Sequence, residues 1–437
     1  MIINTIPSAM AVMETVITGP VIESLEFSER TNLLAMNHSQ RMNTIFEAKD
    51  RQMPFLTLIL FTWILGITGW AQSPTPAADI PDLWLPKLEG KTIAVVANNT
   101  SRVGETHLVD FLVANNVTIK RVFSPEHGFR GKAAAGEHVS SEIDEKTGIP
   151  LVSLYGNHKK PAPSEVADVD LVLFDIQDVG VRFYTYISTM TYVMEACAEN
   201  GIPFYILDRP NPHGNLIDGP ILEPEFTSFV GLHPVPIAHG MTVGEYAAMV
   251  KGEGWIKDSK KLDLSVFVCN NYTHESVYEL PVAPSPNLPN QASIMLYPSL
   301  CLFEGTVVSI GRGTDLPFQQ FGAPWFEDLG TTFTPTSRSE APHPKYENEE
   351  CYGVELASFG ENFMHNYEKL YIFWLLEAHR QYNGDEPFFT NYFRLLAGTE
   401  KLQKQIEHGW SEAQIRESWE EGLSEFKLVR EKYLLYE

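Results

Sequence analysis

Signatures of the commoner hydrolase classes are missing from this chain: it has no G-x-S-x-G elbow, no G-x-x-x-x-G-K-[ST] loop and no H-E-x-x-H pair. Serine-nucleophile, P-loop and zincin chemistry are left without their usual carriers. The stretch SIGRGTDLPF (309–318) has two glycines but lacks the dinucleotide spacing. Cysteine is sparse, and Cys197, Cys269, Cys301 and Cys351 lie far apart with no C-x-x-C. They read as buried thiols rather than a metal site or a disulfide framework, although an exported chain would permit one disulfide. Basic residues are few, 32 against 56 acidic, for a net charge of -24. A surface that acidic repels phosphate backbones, so nucleic acid is not an expected partner, and the excess reads first as a solvated face.

Long apolar runs are also lacking, with one exception. PFLTLILFTWILGITGWAQSPTP (54–76) follows Arg51, is shorter in its apolar core than the roughly 20 residues of a spanning helix, and offers Ala71 as a small cleavage residue. This is the profile of a signal peptide over 53–72. An uncleaved anchor and a buried core helix are the alternatives. Residues 1–52 then read as a gene-model extension ahead of a start at Met36, Met42 or Met53. The expectation is an exported protein, periplasmic or secreted, with no stable membrane partner after cleavage, and with 73–84 as a linker.

What is present, at 44% apolar and 20% charged, is enough to bury a large core, in more than one domain. From residue 85 strands alternate with helices. KTIAVVANNT (91–100), TIKRVF (118–123), IPLVSLYG (149–156), VDLVLFDIQDVG (169–180) and IPFYILDRPNPHG (202–214) are strand-then-turn stretches, and YISTMTYVMEACAENG (186–201) is a helix stopped at Asn200-Gly201. The fold class is α/β with a mostly parallel sheet. A second region begins near 235, with Thr242 and Glu245 as a capping box. LPVAPSPNLPN (280–290), YPSLCLFEGTVVSIGRGT (297–314) and PFQQFGAPW (317–325) suit loops and short strands lining a cleft. Residues 411–436, opened by Ser411 and Gln414, form an amphipathic closing helix.

The unusual side chains follow the carboxyl ends of strands, where open α/β sheets bind ligands. FSPEHGFRG (123–131) crowds Glu126, His127 and Arg130 together. Glu126 stands out because glutamate is a poor helix cap and here sits between Pro125 and His127-Gly128. Asp175, Gln177 and Asp178 precede Arg182 and Tyr184, a set that offers acid and base groups, a ring face and a fork for an anionic substituent, as carbohydrate sites require. The same set also makes a helix start with a buried Asp-Arg pair. Asp208, Arg209, Asn211 and His213 form a further cluster, readable as turn residues. No spacing demands a metal among Asp175, Asp178, His127, His213 and His239, and neither metal nor cofactor is expected.

SPEHGFRG, FDIQDVGVRFYTYISTM, LDRPNPHG, GPIL, HGMTVGEYA, PSPNLP, YPSLCLFEGT, GRGT and PFQQFGAPW, in this order, resemble the exo-β-N-acetylmuramidase family called NamZ, a glycoside hydrolase family. The resemblance covers about residues 85 to 437. It implies a Rossmann-like catalytic subdomain (85–234), a smaller α/β subdomain (235–437) and an active-site cleft between them. It further implies release of N-acetylmuramic acid from the non-reducing end of peptidoglycan-derived glycans, with the glutamate of the S-P-E-H-G motif, here Glu126, as catalytic residue. Glycosidic cleavage needs a proton on the leaving oxygen, so Glu126 is the expected general acid. Asp175 or Asp178, or the substrate's own acetamido group, is the expected second participant. His127 is expected to orient Glu126 or bond the sugar. Gln177, Tyr184, Asn211 and His239 are expected to contact the glycan, and Arg130, Arg182 or Arg209 to read the lactyl carboxylate of muramic acid. A non-catalytic glycan-binding protein and a metal-dependent cell-wall hydrolase are the competing readings.

Overall fold

The computed structural model describes residues 73–126, 128–130, 143–328 and 330–437. Residues 1–52, read as an extension, residues 53–72, read as a signal peptide, and His127 lie outside the described residues. Six parallel strands form the central sheet: β1 (Thr92–Ala97), β2 (Thr118–Ser124), β3 (Leu151–Ser153), β4 (Leu171–Asp175), β5 (Phe204–Leu207) and β6 (Leu264–Phe267). Their spatial order is β6-β5-β4-β1-β2-β3, all neighbours parallel. The winding reverses between β4 and β1, and a crevice at the strands' carboxyl ends is the geometric result.

Side-chain alternation builds both faces. Ala94, Val96, Phe123, Val172, Phe174, Phe204 and Ile206 point into the larger core with α2 (Tyr186–Asn200). Ile93, Val95, Val122, Leu171, Leu173 and Leu207 point into the other, against α1 (Leu108–Ala114). Because both faces are covered, the inner strands β1, β4 and β5 are nearly continuous apolar runs, and each buried Val, Leu, Ile or Phe contributes roughly 1.5–3 kcal/mol. Helix α2 ends as its sequence predicts, on Gly201 in the left-handed conformation at φ 68°, which glycine adopts without a Cβ penalty.

Three expectations need correction. The stretch 73–84 is no linker: Ala77, Ala78 and Trp84 are fully buried, and the Ala77 amide donates to the Asp208 carbonyl at 2.9 Å. Its small and aromatic side chains cover the sheet, while Pro81 opens a short helix whose first N–H groups lack partners in any case. Strand β6 lies beyond the division drawn at 234/235 yet completes the central sheet, and the larger core runs on through Leu296, Phe318, Phe321 and Trp374. The loop expected around YPSL is instead the end of a helix, α4 (Gln291–Leu300), with Pro298 inside it. Asn290 caps it, accepting from the Ser293 amide at 3.0 Å, and nine of its buried residues outweigh one lost hydrogen bond.

The capping box at Thr242 opens α3 (Val243–Gly252) as read. Ser411 likewise caps Glu412–Glu417, but the closing segment is broken and resumes as Glu420–Arg430. A small antiparallel sheet, Gln320–Ala323, Cys351–Glu355 and Thr331–Phe333, completes the carboxyl-terminal part.

One side chain ties these parts together. Arg182 is fully buried, and its Nη1 donates to the carbonyls of Pro220 at 3.0 Å and Val235 at 2.6 Å, its Nη2 to those of Leu396 at 3.0 Å and Ala397 at 2.7 Å. Four chain-distant carbonyls converge on one guanidinium. Arg182→Leu leaves all four without a donor and is expected to cost on the order of 3–5 kcal/mol, the range for stripping one member from a buried charged network. Arg182→Lys, whose compact ammonium lacks the fork, should recover little of it. An unfolding free energy from urea titration within about 0.5 kcal/mol of wild type for either variant would remove this role.

Candidate active site

At the end of β2, Pro125 stops the ladder and Gly128, at φ 76°, closes a turn in which the Gly128 amide donates to the Pro125 carbonyl at 3.2 Å. Glu126 sits in this turn, half-buried, and lines a pocket of about 180 Å³. The opposite wall is the stretch that leaves β4 and enters α2. There Thr185 donates its hydroxyl to Glu126 Oε2 at 3.2 Å, and Tyr184 packs edge-on against Tyr186 at 4.8 Å. Tyr186 in turn donates to the Pro284 carbonyl at 3.1 Å. Burial, and then the Glu126 carboxylate, push the Tyr186 phenol's pKa up, so it stays a neutral donor at the pocket wall.

The third wall comes from the carboxyl-terminal part. Glu304 and Arg312 both line the pocket, and Arg312 Nε donates to Glu304 Oε1 at 2.5 Å while its guanidinium lies 5.0 Å from the Phe318 ring centre. Gly311 and Gly313 flank Arg312 at φ 75° and 79°. A Cβ on either would meet backbone oxygen, Leu316 at 2.6 Å or Thr336 at 2.5 Å, so both left-handed turns demand glycine. Glu304 is held from below: Lys345 Nζ donates to the carbonyls of Phe303, Glu304, Thr306 and Val308 at 2.9, 3.2, 2.6 and 3.1 Å. With three N–H bonds for four acceptors, the ammonium serves the whole loop rather than one partner.

Of the residues predicted to form the site, the pocket lining takes Glu126 and Tyr184. Most of the others lie beneath it. Asp175 is fully buried in a two-point pair with Arg209, Oδ1 to Nε at 2.5 Å and Oδ2 to Nη2 at 2.9 Å, which occupies both groups. Asp178 accepts from the Gly180 amide at 2.7 Å and is buried. Gln177 donates to the Asp178 and Pro210 carbonyls, each at 2.8 Å. Asn211 braces the turn before α3, donating to Met241 O at 3.0 Å and accepting from the His213 amide at 2.8 Å. His239 accepts from the Met241 amide at 3.2 Å and is buried against Tyr246. Arg182 is spent on its four carbonyls. Arg130 reaches away to Asp144 at 2.8 Å and Asp110 at 3.3 Å, and is not among the lining residues.

The three guanidinium groups nominated for the substrate carboxylate are therefore all engaged outside the pocket. The pocket's own cation, Arg312, was missed, as was Glu304. A signal was available: these are the two charged residues of YPSLCLFEGTVVSIGRGT, an otherwise apolar and small-residue stretch. Opposite charges isolated in such a run are found either paired or facing a ligand.

All four cysteines are buried and unpaired. Burial pushes the Asp178 carboxyl's pKa up to about 7, against an ordinary 3.8. Between about pH 4 and 7 the folded state therefore keeps a proton that the unfolded chain has released, and stability falls as pH rises through that window, by on the order of 4 kcal/mol at most. Asp178→Asn keeps the acceptor for Gly180 and cannot ionise. Thermal melts from pH 4.5 to 7.5 should decline less for the variant than for wild type; parallel curves would refute the protonated Asp178.

Comparison with known proteins places this geometry. The profile for the exo-β-N-acetylmuramidase NamZ N-terminal domain matches residues 93–292, and that for the C-terminal domain matches 295–436. The peptidoglycan β-N-acetylmuramidase NamZ of Bacillus subtilis (strain 168) is 42% identical over 415 residues, covering 87% of this chain and 98% of that one. The crystal structure of a DUF1343 family protein from Bacteroides fragilis NCTC 9343 aligns with a TM-score of 0.78 at 44% identity, over 84% of this chain and 99% of its own. A second DUF1343 family protein of that organism aligns at 0.71 with 27% identity, over 83% and 99%. Two adjoining profiles from residue 93 to 436 and a relative of that identity along nearly its whole length show one thing: the chain belongs to the exo-β-N-acetylmuramidase NamZ family.

Proposed function

We propose that the chain is an exo-acting glycosidase that releases N-acetylmuramic acid from the non-reducing end of peptidoglycan fragments, with Glu126 as general acid. The observation that carries this reading is the placement of Glu126 in a pocket walled by Tyr184, Tyr186, Tyr297, Phe318 and Tyr392, with Glu304 and Arg312 beside it. Aromatic faces suit sugar rings, and two carboxylates suit a glycosidic bond. In the proposed step Glu126 gives its proton to the glycosidic oxygen, the C–O bond breaks with its electrons going to that oxygen, and positive charge develops at the anomeric carbon. Glu304, or the substrate's own acetamido oxygen, stabilises that charge until water adds to the carbon and gives up a proton, which restores the acid form of Glu126. Thr185, bonded to Oε2, fixes the plane of the acid. Asp175 and Asp178 have no part in this step, because both are buried and neither is among the residues lining the pocket.

Action outside the cytoplasm belongs to the same proposal and rests on the apolar stretch 54–76. The decisive experiment measures N-acetylmuramic acid released from a MurNAc-GlcNAc disaccharide. Glu126→Gln should lower kcat by at least about 10²-fold, the scale of general acid catalysis, and Glu304→Gln should lower it as well. Equal turnover by wild type and Glu126→Gln would acquit Glu126. Binding of the sugar with no turnover by wild type would replace the enzyme with a glycan-binding protein.

A further inference from the structure

We infer that Arg312 binds the free carboxylate of the substrate's lactyl group and thereby sets the preference for N-acetylmuramic acid over N-acetylglucosamine. The inference rests on the muramidase reading of the pocket. It starts from how the guanidinium is used. Glu304 takes the Nε edge, Phe318 lies against the flat face, and among the described residues no hydrogen bond engages Nη1 or Nη2. The side chain is 26% exposed, toward the pocket. A planar group fixed on one edge and one face, with its paired terminal N–H groups open, is a preformed fork for a carboxylate. Side-chain ordering has been met before the ligand arrives, which favours binding. Among the described residues no other cation lines the pocket.

The neighbouring ring substituent has a matching group. Asn287 is more than nine-tenths buried and lines the same pocket, and its Oδ1 has no hydrogen-bond partner among the described residues, while the buried Tyr184 hydroxyl beside it has Tyr186 and Ser285 as neighbours. An acceptor left unpaired in this way suits the N–H of an acetamido group, which muramic and glucosamine sugars share. The carboxylate is what distinguishes them. Removing one member of a desolvated charge pair typically costs a factor of about 30 or more in affinity, so the discrimination has a single main carrier.

The test compares kcat/KM for chromogenic β-glycosides of N-acetylmuramic acid, of its lactyl methyl ester and of N-acetylglucosamine. Wild type should favour the free acid over both neutral sugars by at least about 30-fold. In Arg312→Met that ratio should collapse toward one. Arg312→Lys, which keeps the charge beside Glu304 and so protects the fold, should retain part of it, mostly as a raised KM. Calorimetry on Glu126→Gln should show free N-acetylmuramic acid binding more tightly than N-acetylglucosamine, with the difference abolished by adding Arg312→Met. An unchanged acid-to-ester ratio in folded Arg312 variants that still turn over overturns this inference alone. No turnover of any β-muramide by wild type, with no tighter binding of the acid, overturns the proposed activity and this inference together.

Discussion

A buried positive charge that has no carboxylate partner among the described residues holds the protein's arrangement in place. Taking a guanidinium out of water is costly, and burial lowers the Arg182 pKa to about 9; the compensation comes from the carbonyl dipoles of residues 220, 235, 396 and 397. Two of those carbonyls, at 220 and 235, belong to loops, and the other two end the helix Asn391–Ala397, so one side chain ties separate segments to the sheet. Gly398 shows how close the fit is, since a Cβ there would lie 2.5 Å from Arg182 Nη2. Arg182 precedes Tyr184, Thr185 and Tyr186 in sequence, so the residue that draws the loops together also sets the origin of the pocket wall. A lysine or a carboxylate-paired arginine would bind one loop, whereas the fork binds several.

The sheet was readable because its cause is local. Apolar runs of four to seven residues bounded by turn residues, alternating with a helical period, can satisfy their backbones and cover both faces only as parallel strands with crossovers. Helix ends were readable for the same reason, as Thr242 and Ser411 show. Helix α4 was not, because Pro298 reads as a breaker while the benefit that overrides it, packing against Phe359 and the core, comes from residues far along the chain.

Site residues were legible only where local chemistry forced the issue. Glu126, which lines the pocket, stood out because a glutamate is a poor helix cap and one wedged between Pro125 and His127-Gly128 has little local use. Asp175, Asp178, Arg182 and Arg209 have the residue types of a sugar site and follow a strand, yet a side chain leaving a strand end points either into the crevice or into the layer beneath it, and sequence position does not distinguish the two. Partner choice does: Asp175 and Arg209 satisfy one another, and Arg182 satisfies carbonyls more than two hundred residues on. Arg312 and Glu304 come from the opposite half of the chain, and nothing near Glu126 in sequence announces them.

Lys345 makes the pocket independent of dissolved ions. Converging carbonyl oxygens around a point of positive charge are also how proteins bind diffusible alkali cations. Here the charge is covalently tethered, carried on the protein's own side chain and surrounded by the loop 303–308 that presents Glu304. A diffusible ion in that position would make the curvature of the loop follow the ionic makeup of the surrounding medium. A tethered one fixes the loop's shape by genotype, so the pocket keeps one geometry whether the solution outside is rich in sodium or in potassium.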